Sequence, residues 1–73
     1  MRIYAQSRIE DESEGFDDDK IFKLDNGQVW QQSVYKYKYR YKYRPKVTIW
    51  TDGGAYFIEI EGIEEKVRVQ RLE

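Results

Sequence analysis

Cysteine and histidine are both absent from the sequence, and their absence excludes several kinds of function. No disulfide can reinforce the core, and no zinc site built from these two ligands can form. Catalysis has little support, because the sequence contains no glycine-rich phosphate loop and no nucleophile elbow. We therefore predict a protein that is not an enzyme, with no catalytic residues, no metal ligands, no cofactor and no small-molecule substrate.

Long hydrophobic runs are missing as well. Residues 1–8 contain no apolar stretch of signal-peptide length, and no segment approaches the length of a membrane span. A chain of 73 residues makes one small domain with a thin core, in which about 60% of the surface of the unfolded chain is buried. We expect a cytoplasmic protein with no membrane partner, and the lack of cysteine agrees with a reducing compartment without requiring one.

The net charge of −1 conceals three blocks of different sign. Residues 1–27 carry −4, residues 28–51 carry +6 and residues 52–73 carry −3. A basic centre between two acidic ends indicates either a site for an anionic partner or charge complementarity within the protein. The overall charge does not separate these two possibilities.

The most informative stretch is residues 35–44, called the ribbon below, in which tyrosine alternates strictly with lysine or arginine. A helix would scatter the tyrosines around its axis, whereas a β-strand places alternate side chains on opposite faces. The sequence therefore predicts a strand with two unlike faces. Its tyrosine face consists of Tyr35, Tyr37, Tyr39, Tyr41 and Tyr43, and its basic face consists of Lys36, Lys38, Arg40, Lys42 and Arg44.

Residues 10–19 carry seven acidic side chains and one large apolar side chain, Phe16. Like charges at this density repel one another, so this stretch is predicted to be a loop or a disordered segment. The spacing of an EF-hand is missing, which disfavours a calcium loop. We accordingly divide the chain into an N-terminal segment with an acidic loop, residues 1–19, and a β-barrel domain, residues 20–73. The acids are also expected to attract the basic face, within one chain or between two, and to mask it.

Alternating segments separated by turn residues predict the other strands. Asn26 and Gly27 predict a hairpin with a type I′ turn. Pro45 predicts the end of a strand, an edge strand or a turn, with Arg44 held extended. Three further strands follow, separated by turns at residues 52–54 and at Gly62. The side chains predicted to face inward are Ile3, Ala5, Ile9, Phe22, Leu24, Trp30, Val47, Ile49, Tyr56, Ile58, Ile60, Val67 and Val69.

Five or six short strands and no credible helix predict an all-β fold, a small antiparallel SH3-like or Sm-like barrel, with an OB-like barrel as the second choice. Trp30 and the tyrosines have opposite parity, which predicts a β-bulge or a break between strands near residues 32–34. One straight strand over residues 28–44 would span roughly 56 Å, so it must bend, end or project from the barrel.

Several of these positions form a pattern, which reads Phe22-x-Leu24-x-Asn26-Gly27-Gln28-Val29-Trp30, Pro45-Lys46-Val47-Thr48-Ile49, Gly54-x-Tyr56, Glu61-Gly62 and Val67-Arg68-Val69-x-Arg71. In this pattern, over residues 20–72, the chain resembles a group of short bacterial proteins of unassigned function. The resemblance implies a compact β-domain and no particular activity. The ribbon lies where such proteins are expected to vary, so the resemblance leaves its role open.

Two functions of different class fit the ribbon. Tyrosines packed on the inner side of a sheet would bring more hydroxyl groups than a small core can satisfy, so part of that face is expected at a boundary with the N-terminal segment or with a second copy. We therefore predict an interaction module that forms a homodimer through the tyrosine face. The alternative is binding of single-stranded nucleic acid, in which tyrosines stack on bases and basic side chains neutralise phosphates. The opposed faces of a regular strand disfavour this alternative.

Overall fold

The computed structural model describes all residues from Met1 to Glu73. Eight antiparallel strands form: β1 (Arg2–Arg8), β2 (Glu12–Phe16), β3 (Ile21–Lys23), β4 (Val29–Gln32), β5 (Lys38–Tyr43), β6 (Lys46–Asp52), β7 (Ala55–Ile60) and β8 (Lys66–Arg71). The first sheet has six strands in the order β1-β6-β7-β8-β4-β3, and the second sheet pairs β2 with β5. No helix of a length and apolar character suited to crossing a membrane is present. The prediction of an all-β fold is confirmed.

The predicted barrel of five or six strands is wrong in two respects. The chain has eight strands, and the six-stranded sheet is not closed as a barrel. Its edge strands meet only just beyond their ends, where Ile9 and Leu24 form an isolated antiparallel bridge flanked by two backbone hydrogen bonds of 2.9 Å. The strand count is higher because residues 12–16 and part of the ribbon leave this sheet and pair with each other.

The core lies on the inner face of the six-stranded sheet. Its buried side chains are Ile9, Phe16, Phe22, Leu24, Trp30, Val47, Ile49, Ile58, Ile60, Ile63, Val67 and Val69. The predicted inward alternation of β6, β7 and β8 is confirmed, and so is the core position of Trp30, which is 0% exposed. Phe16 reaches the same core from β2, with its ring centroid 5.9 Å from that of Phe22. The second sheet is therefore anchored to the first by an aromatic contact.

Strand β1 departs from the predicted alternation at Tyr4. Ile3 lies opposite Trp50 whereas Ala5 lies opposite Ile49, so Tyr4 is an extra residue that forms a β-bulge. The bulge turns Ile3 to the outer face of the sheet and keeps Ala5 against the core. The expectation that Ile3 faces inward is therefore wrong.

The type I′ turn occurs at a different hairpin from the predicted one. Between β6 and β7, Gly53 and Gly54 have φ angles of 57° and 87°, and two consecutive positive values are what this turn requires. Between β3 and β4, only Gly27 has a positive φ, of 88°. The Asn26 side chain instead accepts a hydrogen bond of 2.9 Å from the backbone amide of Gln28. The hairpin predicted at Asn26-Gly27 is confirmed, but its turn type is wrong.

The chain passes from the second sheet into the first at Arg44 and Pro45. Arg44 has a φ of 50°, so the prediction that proline holds it extended is wrong. Its backbone amide donates to the carbonyl of Asp11 at 3.0 Å, and its carbonyl accepts from the Arg8 guanidinium at 2.7 Å. A non-glycine residue in this left-handed region is strained by about 1–3 kcal/mol, and these two contacts offset that strain.

Candidate functional site: the tyrosine face of the second sheet

The ribbon forms a shorter strand than its alternation suggests. Strand β5 spans Lys38–Tyr43, and residues 33–37 form an irregular connection from β4. The predicted break near residues 32–34 is confirmed, because β4 ends at Gln32 and β5 belongs to the other sheet. The ribbon is therefore held by β2 rather than by the strand that precedes it.

The acidic segment, predicted to be a loop, forms strand β2 at residues 12–16. Glu12 lies opposite Tyr43 and Phe16 lies opposite Lys38. Strand formation is possible because the carboxylates of this strand remain exposed while Ser13 and Phe16 are buried. The prediction overestimated charge repulsion, because the acidic side chains of a paired strand can all remain in solvent, where water screens their charges.

A close backbone contact fixes β2 against β5. The register of the two strands shifts between Ser13 and Gly15, where β5 contains one residue more than β2. Gly15 has a φ of 99°, and a Cβ atom at this position would lie 2.0 Å from the carbonyl oxygen of Lys38. Only glycine fits here, so the close approach of β2 to β5 requires this residue.

All side chains of the tyrosine face point to solvent. Their exposed fractions are 70% for Tyr35, 60% for Tyr37, 59% for Tyr39, 52% for Tyr41 and 65% for Tyr43. Of the alternatives left open for these side chains, packing on the inner side of the sheet is therefore wrong. The second sheet contributes Phe16 to the core, and β5 contributes no side chain to it.

The basic face turns toward other parts of the same chain. Its ion pairs are Lys36–Glu65 at 2.5 Å, Lys42–Glu61 at 3.9 Å and Arg44–Asp25. Lys38 and Arg40 are exposed and have no carboxylate oxygen within 4.0 Å. Lys38 and Arg40 are thus unpaired, whereas the other three basic side chains pair with carboxylates and remain partly exposed.

The acids of residues 10–19 do not pair with the basic face of their own chain. Glu14 lies 3.7 Å from Lys20, and Glu12 accepts a hydrogen bond of 3.1 Å from the hydroxyl of Tyr41. Masking of the basic face within one chain is therefore wrong, and masking between chains stays a prediction. The hydrogen bond to Glu12 raises the pKa of Tyr41 above its ordinary value of 10.0, because it favours the protonated phenol.

Glu61 is the best-defined carboxylate beneath the basic face. Its side chain accepts a hydrogen bond of 3.1 Å from the backbone amide of Lys46 and lies 3.9 Å from the ammonium of Lys42. The hydrogen bond, and after it the charge of Lys42, lower the pKa of Glu61 below its ordinary value of 4.5. Glu61 thus remains ionised under the basic face.

A buried glutamine shapes the connection that carries Tyr35 and Tyr37. The side chain of Gln32 is 1% exposed, and its amide nitrogen donates to the carbonyls of Val34 and Lys36 at 2.9 and 3.1 Å. Its side-chain oxygen accepts from the backbone amide of Asp17 at 3.1 Å. Sequence reasoning missed this residue, although Gln32 continues the inward parity of Trp30.

Sequence reasoning also missed the carboxylates that pair with the basic face, because they lie far away along the chain. It also assigned no role to Trp50 and Phe57, which the structure places opposite each other on neighbouring strands at the outer face of the first sheet. No group of three or more acidic side chains is arranged to hold a metal ion.

No protein-family model matches the chain, and neither a curated protein nor a solved structure is similar to it. The resemblance to short bacterial proteins stays a prediction. Function is therefore argued from the surfaces of the molecule itself.

Proposed function

We propose that the protein is a non-enzymatic interaction module that forms a homodimer by packing the tyrosine face of one copy against that of another. The observation that carries the proposal is the direction of the ribbon's side chains. The tyrosines point to solvent, while three of the five basic side chains pair with carboxylates of the same chain. Since the underside of the second sheet is already occupied, the tyrosine face is the surface that it presents to a partner.

The area of the tyrosine face supports a contact of this kind. At roughly 200 Å² per side chain, exposed fractions of 52–70% leave on the order of 600 Å² accessible. This value is at the upper end of about 300–600 Å² for the largest apolar patch of a monomer, and it approaches the roughly 800 Å² that each partner buries in a standard interface. A second copy offers a matching surface by symmetry.

Packing of the two faces is favoured over pairing of the two edges. Strand β5 pairs only with β2, so its other edge is free. Antiparallel pairing of two β5 strands would place basic side chains of the two copies opposite one another, which is destabilising. Packing of the faces leaves the basic side chains on the outside of the dimer. Tyrosine suits such a contact, because its ring supplies apolar area while its hydroxyl group can bond at the rim.

Sedimentation equilibrium over a range of protein concentrations tests the proposal. The unmodified chain is expected to show a monomer–dimer equilibrium, and replacing Tyr37, Tyr39 and Tyr41 together by serine is expected to raise the dissociation constant at least about tenfold. The matched control replaces Lys38 and Arg40 by serine, which changes the opposite face of the same strand and should leave the equilibrium intact. A chain that stays monomeric at every concentration contradicts the proposal, and so does a dimer that only the control variant dissociates.

Binding of single-stranded nucleic acid through the ribbon is the second candidate. The observation in its favour is that Lys38 and Arg40 are exposed and unpaired on the same strand as exposed tyrosine rings, although on its opposite face. This function predicts an affinity that falls steeply with salt and is lost in both the tyrosine and the Lys38/Arg40 variants. Absence of oligonucleotide binding at low salt would exclude it.

The proposal also assigns the module to the cytoplasm, a location that a chain without cysteine suits. Fractionation of cells that express the chain is the check. Recovery of the chain in the extracellular or membrane fraction would contradict the assignment.

A further inference from the structure

The outer face of the six-stranded sheet carries two rows of side chains that the tyrosine face does not involve. One row crosses four strands as Ile3, Trp50, Phe57 and Arg68, each opposite the next, and the neighbouring row is Gln6, Thr48, Glu59 and Lys66. Trp50 and Phe57 are half-buried, and Ile3 is 51% exposed. This face therefore carries two aromatic residues at opposed positions of neighbouring strands and two cations on the same side of one sheet.

The cations of this patch are not engaged with carboxylates. Neither Lys66 nor Arg68 has a carboxylate oxygen within 4.0 Å. The ammonium of Lys66 lies 4.9 Å from the centroid of the Trp50 ring, a cation–π contact that a long exposed side chain can exchange for a phosphate. Arg68 is exposed directly opposite Phe57. Both positive charges are thus available to an anionic ligand beside the rings.

The single acid within the two rows has a defined role. Glu59 accepts a hydrogen bond of 3.0 Å from the indole nitrogen of Trp50. This bond fixes the orientation of the ring, because the indole has only one donor and Glu59 occupies it. The aromatic platform is therefore held in place before any ligand arrives.

We propose that this outer face, centred on Trp50, Phe57, Lys66 and Arg68, binds single-stranded nucleic acid. Flat aromatic side chains stack on unpaired bases of any sequence, and neighbouring cations neutralise the phosphates that connect those bases. On the ribbon these two functions point to opposite sides of one strand, whereas here β6 and β7 supply the rings and β8 supplies the cations to one surface. The proposal does not depend on dimer formation through the tyrosine face.

Fluorescence offers a direct readout, because the chain has two tryptophans in different settings. Trp30 is 0% exposed and Trp50 is half-buried on the proposed platform. Titration with an oligothymidylate of about ten nucleotides at low salt is expected to quench the emission of Trp50 and to raise the anisotropy of a fluorescein label on the oligonucleotide. With two phosphates neutralised, the logarithm of the association constant should fall with the logarithm of salt concentration at a slope of roughly −1.4.

Three variants test the assignment to this face. Phe57→Leu keeps apolar bulk but loses the flat ring, and should weaken binding about tenfold. Lys66→Gln combined with Arg68→Gln changes only exposed side chains, and should bring the salt slope close to zero. The matched control replaces Tyr37, Tyr39 and Tyr41 by serine, and should leave both the affinity and the quenching unchanged.

The outcomes separate this site from the ribbon and from a protein contact. Absence of binding at low salt overturns the proposal, as does binding without quenching. Loss of binding in the tyrosine variant but not in Phe57→Leu would place the nucleic acid on the ribbon instead. If Phe57→Leu alters the monomer–dimer equilibrium and leaves oligonucleotide binding unchanged, the outer face is a contact between proteins and the proposal is wrong.

Discussion

The two sheets use the same period of alternation and bury opposite kinds of side chain. In the six-stranded sheet the buried side chains of β6, β7 and β8 are aliphatic, and the outward ones are mostly polar, with Trp50 and Phe57 as the exceptions. In the second sheet the aromatic side chains of β5 face solvent, and the basic ones turn toward the rest of the molecule. Alternation thus identifies a strand without showing which of its faces is buried.

The difference arises from what lies beneath each strand. Ile49 and Ile58 lie on an apolar interior, in which a charge without a partner would be costly. Beneath β5 lies the connection between β7 and β8, whose Glu61 and Glu65 pair with Lys42 and Lys36. Lysine can occupy an inward position there because each such contact is only partly buried and has a carboxylate as its partner.

The first prediction tests the close approach of Gly15 in β2 to the carbonyl group of Lys38 in β5. Gly15→Ala would place a methyl group against the carbonyl of Lys38 in a backbone conformation that alanine rarely adopts. We expect the free energy of unfolding to fall by about 4 kcal/mol, measured by urea denaturation. The control is Gly53→Ala, which also has a positive φ but open space around the new Cβ, and should cost only about 1 kcal/mol. Equal losses for the two variants would show that the close contact is unimportant.

The second prediction compares an inward position of the first sheet with an outward position of the second sheet. Ile58→Ala should lower the free energy of unfolding by about 3 kcal/mol, because it leaves a cavity in a fully buried position. Tyr39→Ala should lower it by at most about 0.5 kcal/mol in the monomer, since the ring is 59% exposed. Denaturation at a concentration low enough to exclude association makes the measurement. A large loss for Tyr39→Ala would mean that the tyrosine face is packed within one chain.

The third prediction concerns Gln32, the buried polar residue that bonds to the backbone of the connection between the two sheets. Gln32→Leu keeps the approximate volume but removes the partners of three backbone groups, and should cost about 2 kcal/mol. Gln31→Leu, one position away and less buried, should cost about 0.5 kcal/mol or less. Thermal unfolding followed by circular dichroism compares the two variants. The prediction fails if the neighbouring glutamine proves equally important.

The fourth prediction uses the acid beneath the basic face. Because folding lowers the pKa of Glu61, its ionised form stabilises the native state above the unfolded pKa of 4.5, and this contribution is lost as the pH falls through the lower folded value. Glu61→Gln should therefore lower the free energy of unfolding at neutral pH. Below pH 4.5, the difference in free energy of unfolding between the variant and the unmodified chain should become smaller. Denaturation curves at a series of pH values provide the measurement. A difference that is constant with pH would contradict the assigned role.

The smallest expected effect is a change in the pKa of Tyr41, whose hydroxyl group bonds to Glu12. Glu12→Gln removes the charge beside the Tyr41 hydroxyl and should lower the pKa of Tyr41 toward 10.0. Titration followed by the carbon NMR signal of the phenol ring reports this residue individually. Glu14→Gln, which changes an acid that pairs with Lys20 instead, should leave the pKa of Tyr41 unaltered.

Local periodicity predicted most of the first sheet. The inward positions of β6 to β8, the burial of Trp30 and the hairpin at Gly27 all depend on residues close together in the sequence, and all are confirmed. The bulge at Tyr4 was not predictable, because a one-residue shift depends on the register with β6 and not on β1 alone.

The second sheet was harder to predict because its partners are distant along the chain. Residues 12–16 were predicted as a loop from their charge, since nothing local indicated that β5 would pair with them. The tyrosine face was predicted as a unit, but the carboxylates that pair with the opposite face of the ribbon, Glu61 and Glu65, lie 19 and 29 positions along the chain from Lys42 and Lys36. Its proposed role as a dimer contact stays a prediction.

The order of the strands also has a consequence for synthesis of the chain. Strands that are neighbours in sequence pair at only three places, β3–β4, β6–β7 and β7–β8. Strands β1 and β2 are synthesised well before their partners, β6 and β5. At the usual rate of translation, about 1–5 s separate the completion of β2 from that of β5. A long apolar strand left unpaired for that time would be prone to aggregation. The carboxylates of β2 instead keep the unpaired strand hydrated, and their like charges make copies of it repel one another. The acidic composition that conceals this strand in the sequence is therefore also one that disfavours aggregation of the strand while it has no partner.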